Sequence, residues 1–320
     1  MSRTRRRVIV DSDAKNEADD QFAIVHALLS PSLDLRGLVA AHFGGNRTTR
    51  SMEESREEID LLLRLCPVDV TVTNGAPGPL PDESTAVDSP GARLIIQESK
   101  LAADDDKLYV AFLGPLTDMA SALLLDPELA KRPVVVIWIG GPPYRSEKLR
   151  CVEFNLSSDL NAANVVFDSG IELWQVPSNV YSQVSTSYAE LEERIGGTSP
   201  LADYLIQQMV EWNSTYWPEP IESRSLGDSP AISLMLYPTG GDFQVVPAPR
   251  FSAAGDYVPG SGHPVRVAEA IDVRFLMEDM FAKIRRFGRR TTDASPADTT
   301  LSTLSVHPVK NNSIVGSAHR

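Results

Sequence analysis

The chain has 320 residues, 42% hydrophobic and 23% charged, with a formal net charge of −13. Four Arg fall in residues 1–7 and seven Lys or Arg in 281–320, so the middle holds 19 basic against 41 acidic residues. So acidic a core excludes nucleic acid as a partner, because phosphate contacts need a positive surface, and it suits cations or neutral small molecules.

In chain order, strand-like and helix-like segments alternate. RRVIVDSD reads as a buried strand and DDQFAIVHALLS as a helix with Phe22, Ile24, Val25, Ala27 and Leu28 on its apolar stripe. LRGLVAAHF is a strand, and TTRSMEESREEIDLLLRLC an amphipathic helix with Ser, Thr and Glu in its first turns. VDVTVTNG, LYVAFLG, PVVVIWIGG and IELWQVPSN continue the strands, with helices at SPGARLIIQESKLA, LTDMASALLLDPELA and DLNAANVVFDSG between them. Trp138 and Trp174, inside strands, belong to the core. After about residue 183 the pattern turns helical (SYAELEERI, LADYLIQQMVEWN, SPAISLMLY), then gives a short strand region and a last helix, DVRFLMEDMFAKIRRF.

Near-continuous Val/Ile/Leu strands separated by helices predict an α/β fold, an open, mainly parallel central sheet flanked by helices with a Rossmann-like core. One domain is expected over 1–287. Residues 288–320, rich in Ser, Thr and Pro, form an extension expected to be flexible, from which Leu301, Leu304 and Val306 could dock. Cys66 and Cys151 have no CxxC or Cys/His spacing, which argues against a disulfide framework or a zinc site. No run of 18 apolar residues offers a membrane span, and MSRTRRR enters a strand without a signal peptide's apolar stretch. The expectation is a cytoplasmic protein with no membrane partner.

In an open parallel sheet, ligands bind beyond the carboxyl ends of the strands. The residues that follow strands here are Asp11 and Asp13, His42 with Asn46, Leu113, Glu153 with Asn155, and Asn179. Asp11 and Asp13, two apart, share a face of an extended segment. Asp19 and Asp20 open the next helix, where its dipole favours anions. A single Asp there reads as an N-cap. Four carboxylates around one turn repel each other in a buried loop unless a cation or proton neutralises them, which points to a hard divalent ion with oxygen ligands.

These segments resemble the nucleoside hydrolase family, of the inosine-uridine preferring type, from residue 8 to about 284. The likeness rests on the acidic cluster, for which the family motif is D-x-D-P-G-x-D-D, and on GGNRTT, FLGPLTDMASALLLDPEL, the strand ending in IGG, EFNLSSDLNAANVVF and SLGDSPA. The resemblance implies a nucleoside hydrolase-like fold, one calcium ion (Ca2+) at the strand ends, and hydrolysis of the N-glycosidic bond of a ribonucleoside or related N-riboside. Carried over residue by residue, Asp13 is a calcium ligand and the base for a calcium-bound water, Asp20 a bidentate ligand, and Leu113 (through its carbonyl) and Asp228 the remaining ligands. Ribose recognition falls to Asp19 and Asn155, with Asn46 close by and Glu153 on the 5′ side. Asn179 matches a position near the sugar or base, and Trp217, with Trp212 and Tyr216, could stack on a planar base. Relatives of this kind are commonly dimers or tetramers, so a homo-oligomer is expected.

The chain departs from the motif in two ways. Five residues, AKNEA, separate Asp13 from Asp19 where the motif has three, and its Pro-Gly pair is absent. Gly227 stands where relatives often carry a His that protonates the departing base, which leaves the aglycone open and makes His42 a candidate replacement acid. Two other classes share features of the sequence: a non-catalytic calcium or nucleoside binder, and a haloacid-dehalogenase-like phosphatase with Asp11 as nucleophile. The phosphatase motif wants Thr or Val where Lys15 stands.

Overall fold

Runs such as Val8-Ile9-Val10 and Val134-Val135-Val136-Ile137 offer no polar face to water, so they are stable only as strands covered on both sides. The computed structural model describes residues 5–144 and 152–293. Its strands are β1 (Arg6–Ser12), β2 (Leu33–Ala40), β3 (Val72–Asn74), β4 (Leu108–Phe112), β5 (Val134–Ile139), β6 (Glu172–Val176), β7 (Ser185–Ser187), β8 (Ser223–Ser225), β9 (Gly241–Pro247), β10 (Arg250–Phe251), β11 (Tyr257–Val258) and β12 (Pro264–Ile271). The α-helices are α1 (Asp20–Leu28), α2 (Ser51–Leu65), α3 (Pro90–Ser99), α4 (Thr117–Leu125), α5 (Phe154–Ser158), α6 (Leu160–Asp168), α7 (Ser178–Tyr181), α8 (Tyr188–Ile195), α9 (Pro200–Tyr216), α10 (Ser229–Leu236) and α11 (Val273–Asp293).

The main sheet has the order β3-β2-β1-β4-β5-β6-β12-β9. Its pairs are parallel except β12 with β9, which is antiparallel at one edge. The chain winds outward from β1 through β2 to β3 and then returns to place β4 on the other flank of β1. Strand order reverses there, and the crevice at such a switch point is where open α/β sheets bind ligands. One apolar layer, with Phe22, Ile24, Ile232 and Met280, covers one face of the sheet; the other, with Ile95, Met119, Trp138 and Phe167, covers the opposite face. Trp138 and Trp174 are both buried, as expected of strand tryptophans.

The α/β architecture and the alternation of elements follow the sequence reading, with local differences. A five-residue helix, α5, precedes α6, and the edge strand β9 emerges from the region read only as short strands. Helix α11 continues to Asp293, past the boundary expected at 287. Gly288 does not stop it, because a Cβ there would lie 2.3 Å from Thr198 O; the glycine serves a close approach between backbones. Residues 294–320, including Leu301, Leu304 and Val306, and Cys151 lie outside the described residues. Among the described residues no helix is long and apolar enough to cross a membrane.

A hydrogen-bonded layer fixes the helices behind the site. Asp159 caps α6 through Ala162 N (2.9 Å) and also accepts from Leu80 N and Thr117 Oγ1, both at 2.8 Å. Asp159→Ala removes the acceptor of three buried donors, each worth about 1–3 kcal/mol when stranded. After relaxation a loss of roughly 3 kcal/mol is expected, a fall in Tm of about 5–10 °C by thermal denaturation. An unchanged Tm would show that water takes the place of the carboxylate.

Candidate active site

Four connections bring side chains to one point at the carboxyl ends of the strands. Beyond β1 the chain turns at Asp13, where Asn16 N donates to Asp13 O at 2.7 Å, and runs through Asp19 into α1. Leu113 follows β4, its N–H bonded to Asp11 O at 2.9 Å. Glu153 is the N-cap of α5, with Asn155 one turn position inside. The antiparallel pair β7 and β8 returns the chain to Val184, whose carbonyl accepts from Leu226 N at 2.6 Å, and so sets Asp228 at the start of α10. Asp13, Asp19, Asp20, Leu113, Glu153, Asn155 and Asp228 line one cavity of about 60 Å³.

The carboxylates are not there to cap helices. Asp19 and Asp228 occupy the N-cap positions of α1 and α10, yet neither side chain accepts a capping hydrogen bond. Ligand atoms of Asp19, Asp20 and Asp228 lie within 4.8 Å of one another. Asp13 stands beside this group rather than in it, and its Oδ2 is buried with no hydrogen-bond partner. Gly114 permits this placement, since a Cβ there would lie 2.7 Å from Asp13 Oδ1. Burial, reinforced by neighbouring carboxylates, holds Asp13 and Asp228 well above the ordinary range. Desolvation likewise lifts Asp19 to about 8 and, against hydrogen bonds from Ser12 and Asp228, Asp20 to about 6. Ser12 Oγ donates to Asp20 Oδ1 at 2.5 Å. An all-oxygen, anionic, desolvated donor set with an orphaned carboxylate oxygen fits a hard divalent cation.

On the opposite wall the polar groups are already oriented. Asn155 Nδ2 donates to the carbonyls of Leu113 (2.6 Å) and Ile139 (2.9 Å), leaving Oδ1 as an acceptor. Glu153 receives Gly141 N, Leu156 N, Asn155 N and Tyr181 Oη, between 2.8 and 3.2 Å. Those four donors use a carboxylate's acceptor sites, so Glu153 acts as an anchor that orients Tyr181. Burial raises its carboxyl, and those donors oppose the rise.

Several expected residues lie elsewhere. His42 is fully buried and outside the cavity wall. Its Nδ1 accepts from Gly44 N (3.1 Å), so Nε2 carries the proton and donates to Thr117 Oγ1 at 2.8 Å. Desolvation lowers its pKa to about 4, so it is a neutral packing residue in the chain His42, Thr117, Asp159, not a proton donor to a ligand. Asn46 and Asn179 are exposed, and Trp217, half-exposed, ends α9 outside the wall. Asp11 faces Asp118 rather than the cavity, and burial beside that second carboxylate holds its proton on. Asp118 in turn accepts from Ala76 N (3.1 Å) and Ser89 Oγ. A phosphatase nucleophile at Asp11 is therefore not supported.

The wall also contains residues that the sequence reading did not select, Asn16, Glu17, Phe154 and Tyr181. Asn16 and Glu17 come from the AKNEA segment, whose extra length was the available signal. Tyr181 also fills the space beside Gly227, where a Cβ would lie 3.0 Å from its Cδ2. A larger hollow of about 730 Å³ opens at the other end of the strands around Arg6, Lys107 and Tyr109. It gathers no comparable set of desolvated carboxylates, and Lys107 there is paired with Glu172 at 2.7 Å.

Comparison with known proteins agrees with this architecture. The computed structure resembles a purine-preferring ribonucleoside hydrolase from Gardnerella vaginalis (TM-score 0.75, 20% identity, 89% of this chain and 100% of that one). It also resembles the plant nucleoside hydrolase PpNRh1 (TM-score 0.70, 21% identity, 88% and 99%). In sequence it is 27% identical over 226 residues to probable uridine nucleosidase 2 of Arabidopsis thaliana, covering 63% of this chain and 68% of that protein. It is 26% identical over 229 residues to the pyrimidine-specific ribonucleoside hydrolase RihA of Salmonella paratyphi A, covering 65% and 71%. The sequence model of the inosine-uridine preferring nucleoside hydrolases matches residues 8–278, most of the chain and every element that contributes to the cavity, and the protein belongs to that family.

Proposed function

We propose that the chain hydrolyses the N-glycosidic bond of a ribonucleoside or related N-riboside with a calcium ion held by Asp13, Asp20, Asp228 and the Leu113 carbonyl. Membership of the family makes it an N-glycosidase rather than a non-catalytic binder. The observation that carries the finer reading is the orphaned, buried Asp13 Oδ2 beside the Asp19, Asp20 and Asp228 group. Asp19 differs from its neighbours because the positive field of Arg224 opposes its desolvation. Asp19 is assigned to the ribose hydroxyls, together with Asn155 Oδ1.

A divalent cation in such a site offsets the buried charge and, as a Lewis acid, lowers the pKa of water. Asp13 Oδ2 takes the proton of the attacking water. Asp19 and Asn155 hold the sugar hydroxyls, and the ring of carboxylates stabilises the positive charge that develops as the bond from the ribosyl carbon to the aglycone nitrogen breaks. The electron pair leaves with the aglycone. Among the described residues no His lines the cavity, and the Tyr181 hydroxyl is committed to Glu153, so departure is proposed to go largely unassisted by a proton. The named relatives differ among uridine, pyrimidine and purine, and the base cleaved here is left to experiment. Ribose release should be far faster from nitrophenyl riboside than from inosine or uridine. No release from any of them would overturn the assignment.

Asp13→Asn should keep the fold and lower kcat by a factor on the order of 10² or more, as loss of a general base does. Asp19→Asn should raise KM while keeping calcium affinity, measured by calorimetry. Calcium loss in Asp19→Asn but not in Asp13→Asn would exchange their roles.

The pH dependence has a definite sign. In the folded chain Asp19 and Asp20 have pKa values of about 8 and about 6, above the 3.8 of a free Asp, so the folded state binds protons more tightly than the unfolded one. Without the cation, stability is greatest below about pH 4 as far as these groups contribute, and it falls as pH rises through about 8. Calcium at one fixed concentration, a hundredfold above its Kd at pH 8, should add about 2.7 kcal/mol there, roughly 5 °C or more in Tm, and less at pH 5, where protons compete for the carboxylates. An equal increment at both pH values would disconnect the ion from these carboxylates.

A further inference from the structure

Among the described residues four cations stand on the segments that surround the mouth of the cavity, and three face a carboxylate. Lys15 pairs with Glu58 at 2.7 Å, Arg50 with Glu57 at 2.8 Å, and Arg224 with Glu17. Arg47 differs. Among the described residues its guanidinium meets the side-chain oxygen of Asn16, which lines the cavity, and the rings of Phe43 (4.9 Å) and Tyr216 (5.5 Å). The side chain is exposed to solvent.

Such a contact set is more than the segment from Asp13 to Asp19 needs for its own fixation. Trp212 Nε1 already donates to Asn16 O (3.1 Å), Gln21 Nε2 to Ala14 O (2.6 Å) and Gln208 Nε2 to Ala18 O (2.9 Å). One acceptor occupies few of the five N–H donors of a guanidinium, and ring contacts hold the planar fork at little entropic cost on binding. The cavity, about 60 Å³, is small beside the roughly 300–1,000 Å³ of ordinary ligand pockets. A riboside seated by its sugar must therefore carry its aglycone out to the mouth. An anionic group there would be repelled by the carboxylates within, unless a cation at the rim receives it.

We propose that Arg47 is a specificity-determining residue that selects N-ribosides whose aglycone carries a negative charge, a carboxylate above all. The inference rests on the ribosyl hydrolysis proposed above. It also suits a site without a leaving-group acid, because a guanidinium stabilises charge on the aglycone without giving up a proton.

The test uses nicotinate riboside and nicotinamide riboside, which differ as carboxylate and carboxamide on one ring, with nitrophenyl riboside as the uncharged reference. Both pyridinium ribosides depart with the electron pair on a neutral ring nitrogen, giving nicotinate or nicotinamide, so protonation of the leaving nitrogen does not enter the comparison. The calcium-loaded wild type should favour nicotinate riboside at least tenfold in kcat/KM, the scale of a charge-assisted hydrogen bond, and the preference should shrink as salt is added. Arg47→Gln should bring the ratio near unity, with the loss concentrated in KM for nicotinate riboside, and Arg47→Lys should restore part of it. A wild type without the preference, or an Arg47→Gln variant that loses all three substrates equally, overturns the inference while ribosyl hydrolysis stands. Cleavage of nitrophenyl riboside but of neither pyridinium riboside overturns it as well. If none of the three is cleaved by the wild type, the hydrolytic reading falls and this inference falls with it.

Discussion

Asp13, Glu17, Asp19, Asp20, Glu153 and Asp228 share the wall of one small cavity, where loss of water penalises each charge and proximity penalises it again. The surrounding structure partly offsets that cost. Asp19, Asp20 and Asp228 sit at the amino ends of α1 and α10, where the helix dipoles favour negative charge. Ser12 donates to Asp20, Arg224 pairs with Glu17, and three main-chain N–H groups with the Tyr181 hydroxyl satisfy Glu153. One buried oxygen of Asp13, Oδ2, has no hydrogen-bond partner. The residual demand for positive charge is concentrated where a cation can serve it.

Holding that arrangement requires a stiff frame. β1 and β4 lie side by side at the reversal of strand order, so Asp13 and the Leu113 carbonyl leave the sheet from neighbouring strands. Gly114 lets the Asp13 carboxylate lie against the main chain, and Trp138 Nε1 fixes that turn through Gly114 O at 3.1 Å. Behind it, the His42, Thr117 and Asp159 chain and the Asp11 and Asp118 pair fill the space between helices with buried polar groups, and burial raises the Asp11 carboxyl well above the usual range. These residues resemble site residues in sequence because they too follow strands, but they bear on the packing of the frame.

The mouth is where this chain departs from the family pattern. In the segment between Asp13 and Asp19, two residues longer than the family motif, Asn16 and Glu17 line the wall, and Arg47, Trp212 and Arg224 contact them. Tyr181 takes up the room beside Gly227. One wall of the cavity is thus made of carboxylates and an amide, while aromatic rings and guanidinium groups surround the segment from Asp13 to Asp19.

Local sequence was sufficient for the main strands and helices up to β6, apart from the short α5, because uninterrupted β-branched runs and 3.6-residue apolar stripes allow few alternatives. Together with the family resemblance it singled out Asp13, Asp19, Asp20, Asp228, Glu153 and Asn155, and these six do line one cavity. What it could not determine was facing. Asp11 and Asp13, two apart, share a face only while the strand continues, and β1 ends at Ser12, so the turn at Asp13 sends the two carboxylates to different surroundings. His42, Asn46, Asn179 and Trp217 follow or flank the right elements, yet burial between Gly44 and Thr117 decides the first and solvent exposure the others. Asn16, Glu17 and Tyr181 enter the wall through contacts with Trp212, Arg224 and Glu153, all distant in the chain. The sequence by itself determined which charges must be neutralised together; only the tertiary structure decided which side chains meet there, because that depends on where strands stop and on partners that local patterning does not encode.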